Sequence, residues 1–241
     1  MKIGIITDVH NNLTALNAVM ARLDELNCDK IICCGDIIGI GPYPEETVQY
    51  MIKIPNLIAV KGNHDRYLTD GMPTEFPNDE HMEQGEFNHH KWEHSRLSAE
   101  SVDFLRNLPY RVDLTLENHT ISVMHYCMDG NDRYVNYTPT PSEKQLSEMF
   151  ADVDSEIILF GHAHNRTICN SDGKWYVNVG SLGCPAIDKN IARAGILTVT
   201  QDEVSIQPID VEYDVGNVVA EINRLNYPDA ENIKKFFYGL W

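Results

Sequence analysis

Over the first sixty positions, apolar residues come in short continuous runs separated by stripes of helical period. Lys2–Ile6, Ile31–Cys34 and Leu57–Val60 read as buried strands. Between the first two, Leu13, Leu16, Ala18, Val19, Met20, Leu23 and Leu26 recur at the spacing of an amphipathic helix, and Asn12 is placed to cap it. Pro42 and Pro44 open a second short helix running through Met51. Each strand ends in a loop of polar residues. In an open α/β sheet, ligands bind at these carboxyl ends.

The pattern changes between Asp70 and Pro109. This stretch begins irregular and acidic, with Pro73 and Pro77, and then becomes helical. Phe87, Trp92, Leu97, Val102, Phe104, Leu105 and Leu108 form its expected buried side, and it reads as a helical insertion (about 70–109) lying over the site. Two strands follow, Val112–Leu116 and Thr120–His125, around a turn at Glu117-Asn118-His119. A helix is expected from about Ser142 to Phe150, and a strand over Ile157–Phe160. Two hairpins come next: Thr167–Cys169 with Lys174–Val179, and Ala194–Thr200 with Val204–Asp210. The tail from Val215 to Trp241 reads as helical, interrupted near Pro228. No repeat, low-complexity segment or linker divides the chain, so a single domain over 1–241, built of two packed sheets with outer helices, is the simplest account.

At 241 residues the chain is long enough for one sizeable core. Nineteen Lys and Arg against 36 Asp and Glu give a net charge of −17, which argues against a broad basic face for duplex nucleic acid. A small anionic substrate stays compatible with that charge, because bound cations reverse the local field. No apolar run has the length of a membrane span. The N-terminus lacks the long apolar stretch and small-residue cleavage site of a signal peptide. Cys28, Cys33, Cys34, Cys127, Cys169 and Cys184 form neither a CxxC pair nor a disulfide framework, so a reducing, cytoplasmic location is expected. The oligomeric state is left open.

Five polar clusters each follow an apolar strand: Asp8-Val9-His10, Gly35-Asp36, Gly62-Asn63-His64-Asp65, His125, and Gly161-His162-Ala163-His164. Carboxylate, imidazole and amide oxygen are the ligands of Mn, Fe or Zn rather than Ca. Singly, each cluster is a common polar turn. All five in this order, each at a strand end, point to a metal site.

In that order the clusters resemble the calcineurin-like metallophosphoesterase superfamily, from Asp8 to His164. The resemblance implies an α/β (α+β type) four-layer αββα sandwich of two mixed β-sheets flanked by helices. It also implies two divalent or trivalent transition-metal ions, with Mn or Fe favoured over Zn. Asp8, His10 and His164 would hold the first ion, Asn63, His125 and His162 the second, and Asp36 would bridge both. A hydroxide between the ions would attack phosphorus in line. His64 matches the family's proton donor or phosphate-binding imidazole. Asp65 would orient it, or alternatively cap the helix that follows.

Two departures narrow the class. The Val-Asp-Arg-Gly run of the protein Ser/Thr phosphatases is absent after Asp36, and their Gly-Asn-His-Glu is Gly-Asn-His-Asp here. Gly180-Ser181-Leu182-Gly183-Cys184-Pro185 resembles a loop of small bacterial and archaeal phosphodiesterases, although Ala186 stands where Arg often follows. Arg193 is then the candidate phosphate contact, or else a surface residue at a strand start. Gly35-Asp36-Ile37-Ile38-Gly39-Ile40-Gly41-Pro42 and the helix bearing Trp92 resemble bacterial phosphodiesterases, some of which hydrolyse diadenosine tetraphosphate. Trp92 is placed to stack on a base or to pack in the core. His89, His90 and His94 are open to a phosphate, a third metal or solvent. The expected activity is phosphodiester hydrolysis on a nucleotide or dinucleoside polyphosphate. Phosphomonoesterase or protein phosphatase action and a non-catalytic metal-binding scaffold are the alternatives.

Overall fold

A computed structural model describes residues 1–76, 82–129, 134–135 and 138–239. Two five-stranded mixed sheets pack face to face. The first has the order β10-β9-β1-β2-β3, from β1 (Lys2–Ile6), β2 (Lys30–Cys33), β3 (Ile58–Ala59), β9 (Ile191–Val199) and β10 (Val204–Glu212). The second has the order β4-β5-β6-β8-β7, from β4 (Arg111–Leu116), β5 (His119–Met124), β6 (Ile157–Leu159), β7 (Thr167–Ser171) and β8 (Lys174–Asn178). Strands β1, β2 and β3 run parallel, as do β5, β6 and β8.

The two-residue period of the strands sorts side chains between layers. Ile3, Ile5 and Ile32 meet Ile121, Val123, Ile157 and Leu159 in a dry core between the sheets. On the outer face of the first sheet, Ile6, Ile31 and Cys33 pack under α1 (Leu13–Glu25), α2 (Pro44–Ile52), α5 (Ala99–Arg106), α7 (Val215–Leu225) and α8 (Ala230–Phe237). On the outer face of the second, Met124, Ile158 and Tyr176 pack under Leu146 and Phe150, at α6 (Glu143–Met149). The result is the expected αββα sandwich. Among the described residues, no helix is long and apolar enough to cross a membrane.

Several boundaries move from their expected places for local reasons. The third strand keeps only Ile58 and Ala59, because β3 pairs with β2 along just that register at the sheet edge. The first hairpin turns on two residues, Glu117 and Asn118, both at positive φ, so His119 belongs to its strand. Ser142 caps α6 from outside: its side chain accepts the amide of Gln145, whose own side chain accepts that of Ser142. The largest revision concerns α4 (Gln84–His94). Its buried side is polar, formed by His89, His90 and Glu93, whereas Phe87 and Trp92 are only partly buried.

Candidate metal centre

The five clusters converge at the carboxyl ends of the parallel strands. Asp8 and His10 follow β1, Asp36 follows β2, Asn63 begins α3 (Asn63–Thr69) beyond β3, His125 follows β5, and His162 and His164 follow β6. Five of these residues take positive φ: Asp8, His10, Asp36, His162 and His164, between 48° and 71°. Each such left-handed non-glycine residue costs on the order of 1 kcal/mol or more and persists only where its surroundings impose it. The strain thus falls on five of the seven candidate ligands, Asn63 and His125 being the exceptions.

Two sets of donor atoms result. In the first, His10 Nε2 lies 3.0 Å from His164 Nε2, and Asp8 Oδ1 lies 3.8 Å from the former and 3.5 Å from the latter. In the second, Asn63 Oδ1 lies 3.0 Å from both His125 Nε2 and His162 Nδ1. Asp36 Oδ2 belongs to both, 3.2 Å from His125 Nε2 and 3.8 Å from His10 Nε2.

Outer contacts aim these donors. His10 Nδ1 pairs with the Ile38 carbonyl at 3.2 Å and His125 Nδ1 with the Cys34 carbonyl at 2.8 Å, which turns each Nε2 inward. Thr7 Oγ1 donates to Asp8 Oδ2 at 2.7 Å, and the His64 amide donates to Asp36 Oδ1 at 2.9 Å. Gly62 is required here, because a Cβ at that position would overlap Asp36 Oδ1.

Burial pushes the Asp36 carboxyl upward, but His125, His64 and His10 outweigh it and hold the group well below the ordinary carboxylate range. Burial alone would lower His125; Asp36 reverses that and takes it to about 9. Burial dominates at His162 and His164, which fall to about 4. Asp8 and Asp36 are buried, and their ionic partners among the described residues are histidines. Two buried carboxylates against one charged imidazole, His125, leave negative charge in the interior unmatched. Oxygen and imidazole donors clustered around them fit transition-metal ions.

The sequence model of the calcineurin-like phosphoesterase superfamily domain matches residues 1–202. The chain belongs to this superfamily. An uncharacterised protein of Methanocaldococcus jannaschii is 25% identical over 94% of both chains. Among solved structures, a hypothetical protein from Pyrococcus horikoshii aligns with a TM-score of 0.85 at 20% identity, covering 99% of this chain and 98% of the other. A metallophosphoesterase from Sphaerobacter thermophilus aligns with a TM-score of 0.74 at 24% identity, covering 100% and 99%. These likenesses carry the fold.

In this phosphoesterase, Asp65, Trp92 and Arg193 are held by contacts with the protein itself. Asp65 caps α3, the second of its two expected roles: its carboxylate accepts the Gly62 amide, and it also accepts the amides of Ile37 and Ile38, which ties two ligand loops together. Burial, then the charge of Asp36, raises Asp65 to about 7. His64 Nδ1 is buried against Gly39 with no hydrogen-bond partner, and burial lowers its pKa well below the ordinary value. Trp92 packs on Tyr227, 4.6 Å between ring centroids, and under Arg96 at 4.3 Å, away from the centre. Arg193 pairs with Asp188 at 3.6 Å and lines neither cavity beside the centre.

Two adjoining cavities, of about 580 and 420 Å³, border His64, His164, Phe236 and Phe237. Among the described residues Lys189 is the single Lys or Arg lining them, and its Nζ donates to the Pro185 and Phe236 carbonyls. Sequence reasoning missed Lys189, Glu93 and the approach of α8. The signal for Glu93 was present as His90-x-x-Glu93-His94, a helix-spaced set of ligand-type residues.

Proposed function

We propose that this phosphoesterase hydrolyses phosphodiester bonds in small nucleotide-type substrates, dinucleoside polyphosphates among them, at a centre of two transition-metal ions. One observation carries the reading. Asp36 Oδ2 is shared by two donor sets, and two adjoining cavities are both lined by the neighbouring His64. A diester phosphorus has two substituents, and each finds a cavity; a monoester needs only one. The larger cavity has the volume of an ordinary small-molecule site. Phe236, 62% exposed at its mouth, offers a ring to a base in place of Trp92.

In this reading Asp8, His10 and His164 hold one ion, Asn63, His125 and His162 hold the other, and Asp36 holds both. Manganese or iron suits the mixture of oxygen and imidazole donors. When bound, the ions supply positive charge against the phosphate oxygens and a water acidic enough to attack at neutral pH. His64 presents an imidazole N–H to the phosphate and the leaving oxygen. Asp65 fixes the loops that carry Asp36 and His64. Residues 70–109, of which 77–81 lie outside the described residues, act as an insertion over the site within a single domain. The cysteine pattern supports a reducing, cytoplasmic setting.

A substrate panel tests the reading. Manganese-loaded protein should cleave bis-p-nitrophenyl phosphate and dinucleoside polyphosphates faster than p-nitrophenyl phosphate. A clear preference for the monoester would replace this reading with a phosphomonoesterase.

A further inference from the structure

The wall of the larger cavity carries Glu83, Glu86 and Asp229 with His64, His89 and His90, and no Lys or Arg among the described lining residues. Such a surface draws a cation. Within it, His64, Glu86 and His90 bring one donor atom each within 4.8 Å of one another.

His90 is fully buried, and its two nitrogens differ. Nδ1 lies 3.4 Å from Glu93 Oε1. The other oxygen of Glu93 accepts the Gly39 amide at 2.6 Å and the Asn11 side chain, which anchors the carboxylate. A carboxylate on one imidazole nitrogen, leaving the other free to point inward, is the outer support that metal-binding histidines use. His10 and His125 have the same arrangement with backbone carbonyls. His90 Nε2 has no hydrogen-bond partner and stands 3.7 Å from Glu86 Oε1. That is too long for a hydrogen bond. It is close to the ~3.3 Å that separates two ligands of one zinc ion with bonds of ~2.0–2.1 Å. His64 Nδ1 is also buried without a partner, against Gly39, whose amide is bound by Glu93.

We propose that His90 Nε2, Glu86 and His64 Nδ1 form a third, mononuclear site for a divalent ion of the zinc class. Three protein ligands leave a position open toward the cavity. His64 Nε2 stays available to the phosphate, so one imidazole joins this site to the centre. The inference rests on reading the centre as metal-dependent, and its test keeps the two apart.

Chelator-stripped protein is titrated with zinc, and bound ions are counted by equilibrium dialysis for the wild type, His90→Gln and Glu86→Gln, each checked for folding. The wild type should bind one ion more than either variant at the same free zinc. Crystals of the zinc-loaded wild type should show an anomalous peak about 2.0–2.1 Å from His90 Nε2. Glu86 is half-exposed, so its variant serves if His90→Gln fails to fold. Equal counts in all three proteins, or no anomalous peak between these side chains, would mean that His90 is a salt-bridged imidazolium and would overturn the site. A loss in His90→Gln alone would move the ion to Glu93 and His94 and overturn this assignment. The ions remaining in the variants test the dinuclear reading separately.

Discussion

Oδ2 of Asp36 stands 3.2 Å from Nε2 of His125, in the interior, with the carboxylate's other oxygen tied to the His64 amide. The carboxylate therefore cannot swing away from the shared position without breaking a backbone contact. Asp36→Asn keeps the shape and removes the charge that serves both ions. It should lower activity by more than the roughly 10–100-fold typical of losing an outer supporting partner. Asp8→Asn, which affects one donor set, should cost less. Metal content and rates on matched, folded variants check this; near-full activity in Asp36→Asn alone would put the bridge elsewhere.

Gly62→Ala should disturb the same carboxylate from behind. The added methyl would overlap Asp36 Oδ1, and relief requires the loop to move. Overpacking of this kind costs ~1–3 kcal/mol. The expected outcome is a lower Tm together with weaker metal binding, measured by thermal unfolding with and without manganese. Unchanged metal affinity would show that the loop yields freely.

Glu93 should matter to stability although it lies outside the centre. It is fully buried, and it binds Asn11 and Gly39, residues that follow the first two ligand clusters. Burial raises its pKa, but hydrogen bonding and charge from His90 outweigh that and keep it ionised. Removing one partner of a buried ionic group costs ~3–5 kcal/mol. Glu93→Gln should lose stability on that scale in urea unfolding of the metal-free protein, and a change within error would refute the clamp.

The legible part of this molecule is the part whose residues act where they stand. Asp8, Asp36, Asn63, His125, His162 and His164 each follow a short apolar run, so strand ends and ligands were visible together. The polar buried face of α4 was not, because His89, His90 and Glu93 at helical spacing look like a solvated side. What buries them lies far along the chain: Asn11 and Gly39 for Glu93, Tyr227 for His89. The same distance hides the approach of α8, whose Ile233, Phe236 and Phe237 line the cavities. Trp92 was ambiguous because a helical stripe gives the face of an aromatic but not the surface it meets.

Trp92→Ala tests that last point. The ring packs on Tyr227 and His89, so its loss should lower stability by ~1–3 kcal/mol, as for other partly buried large-to-small changes. KM for a dinucleoside polyphosphate should stay within about twofold. Phe236→Ala should show the reverse, a raised KM with little change in Tm. A large rise in KM for Trp92→Ala would restore it to the substrate site.

His64 separates chemistry from metal binding. Its backbone amide holds Asp36, whereas its ring lines both cavities. Burial holds the imidazole well below its ordinary pKa, so near neutral pH it is a neutral N–H donor. Donation to a leaving oxygen matters most when that oxygen is basic, as in an alkoxide or a nucleotide. It matters little for p-nitrophenolate, which departs unaided. A neutral imidazole gives the departing oxygen a hydrogen bond rather than its proton, and such a bond to a charged oxygen is worth ~1.5–3 kcal/mol, about 10–150-fold. His64→Gln keeps the amide contact to Asp36, so the two ions of the centre should remain. Hydrolysis of alkyl or nucleotide esters should fall by at least tenfold more than that of p-nitrophenyl esters. Both substrate types are measured on one manganese-loaded preparation whose metal content is known. Equal losses on both, together with ions lost from the centre, would make His64 a ligand of that centre instead.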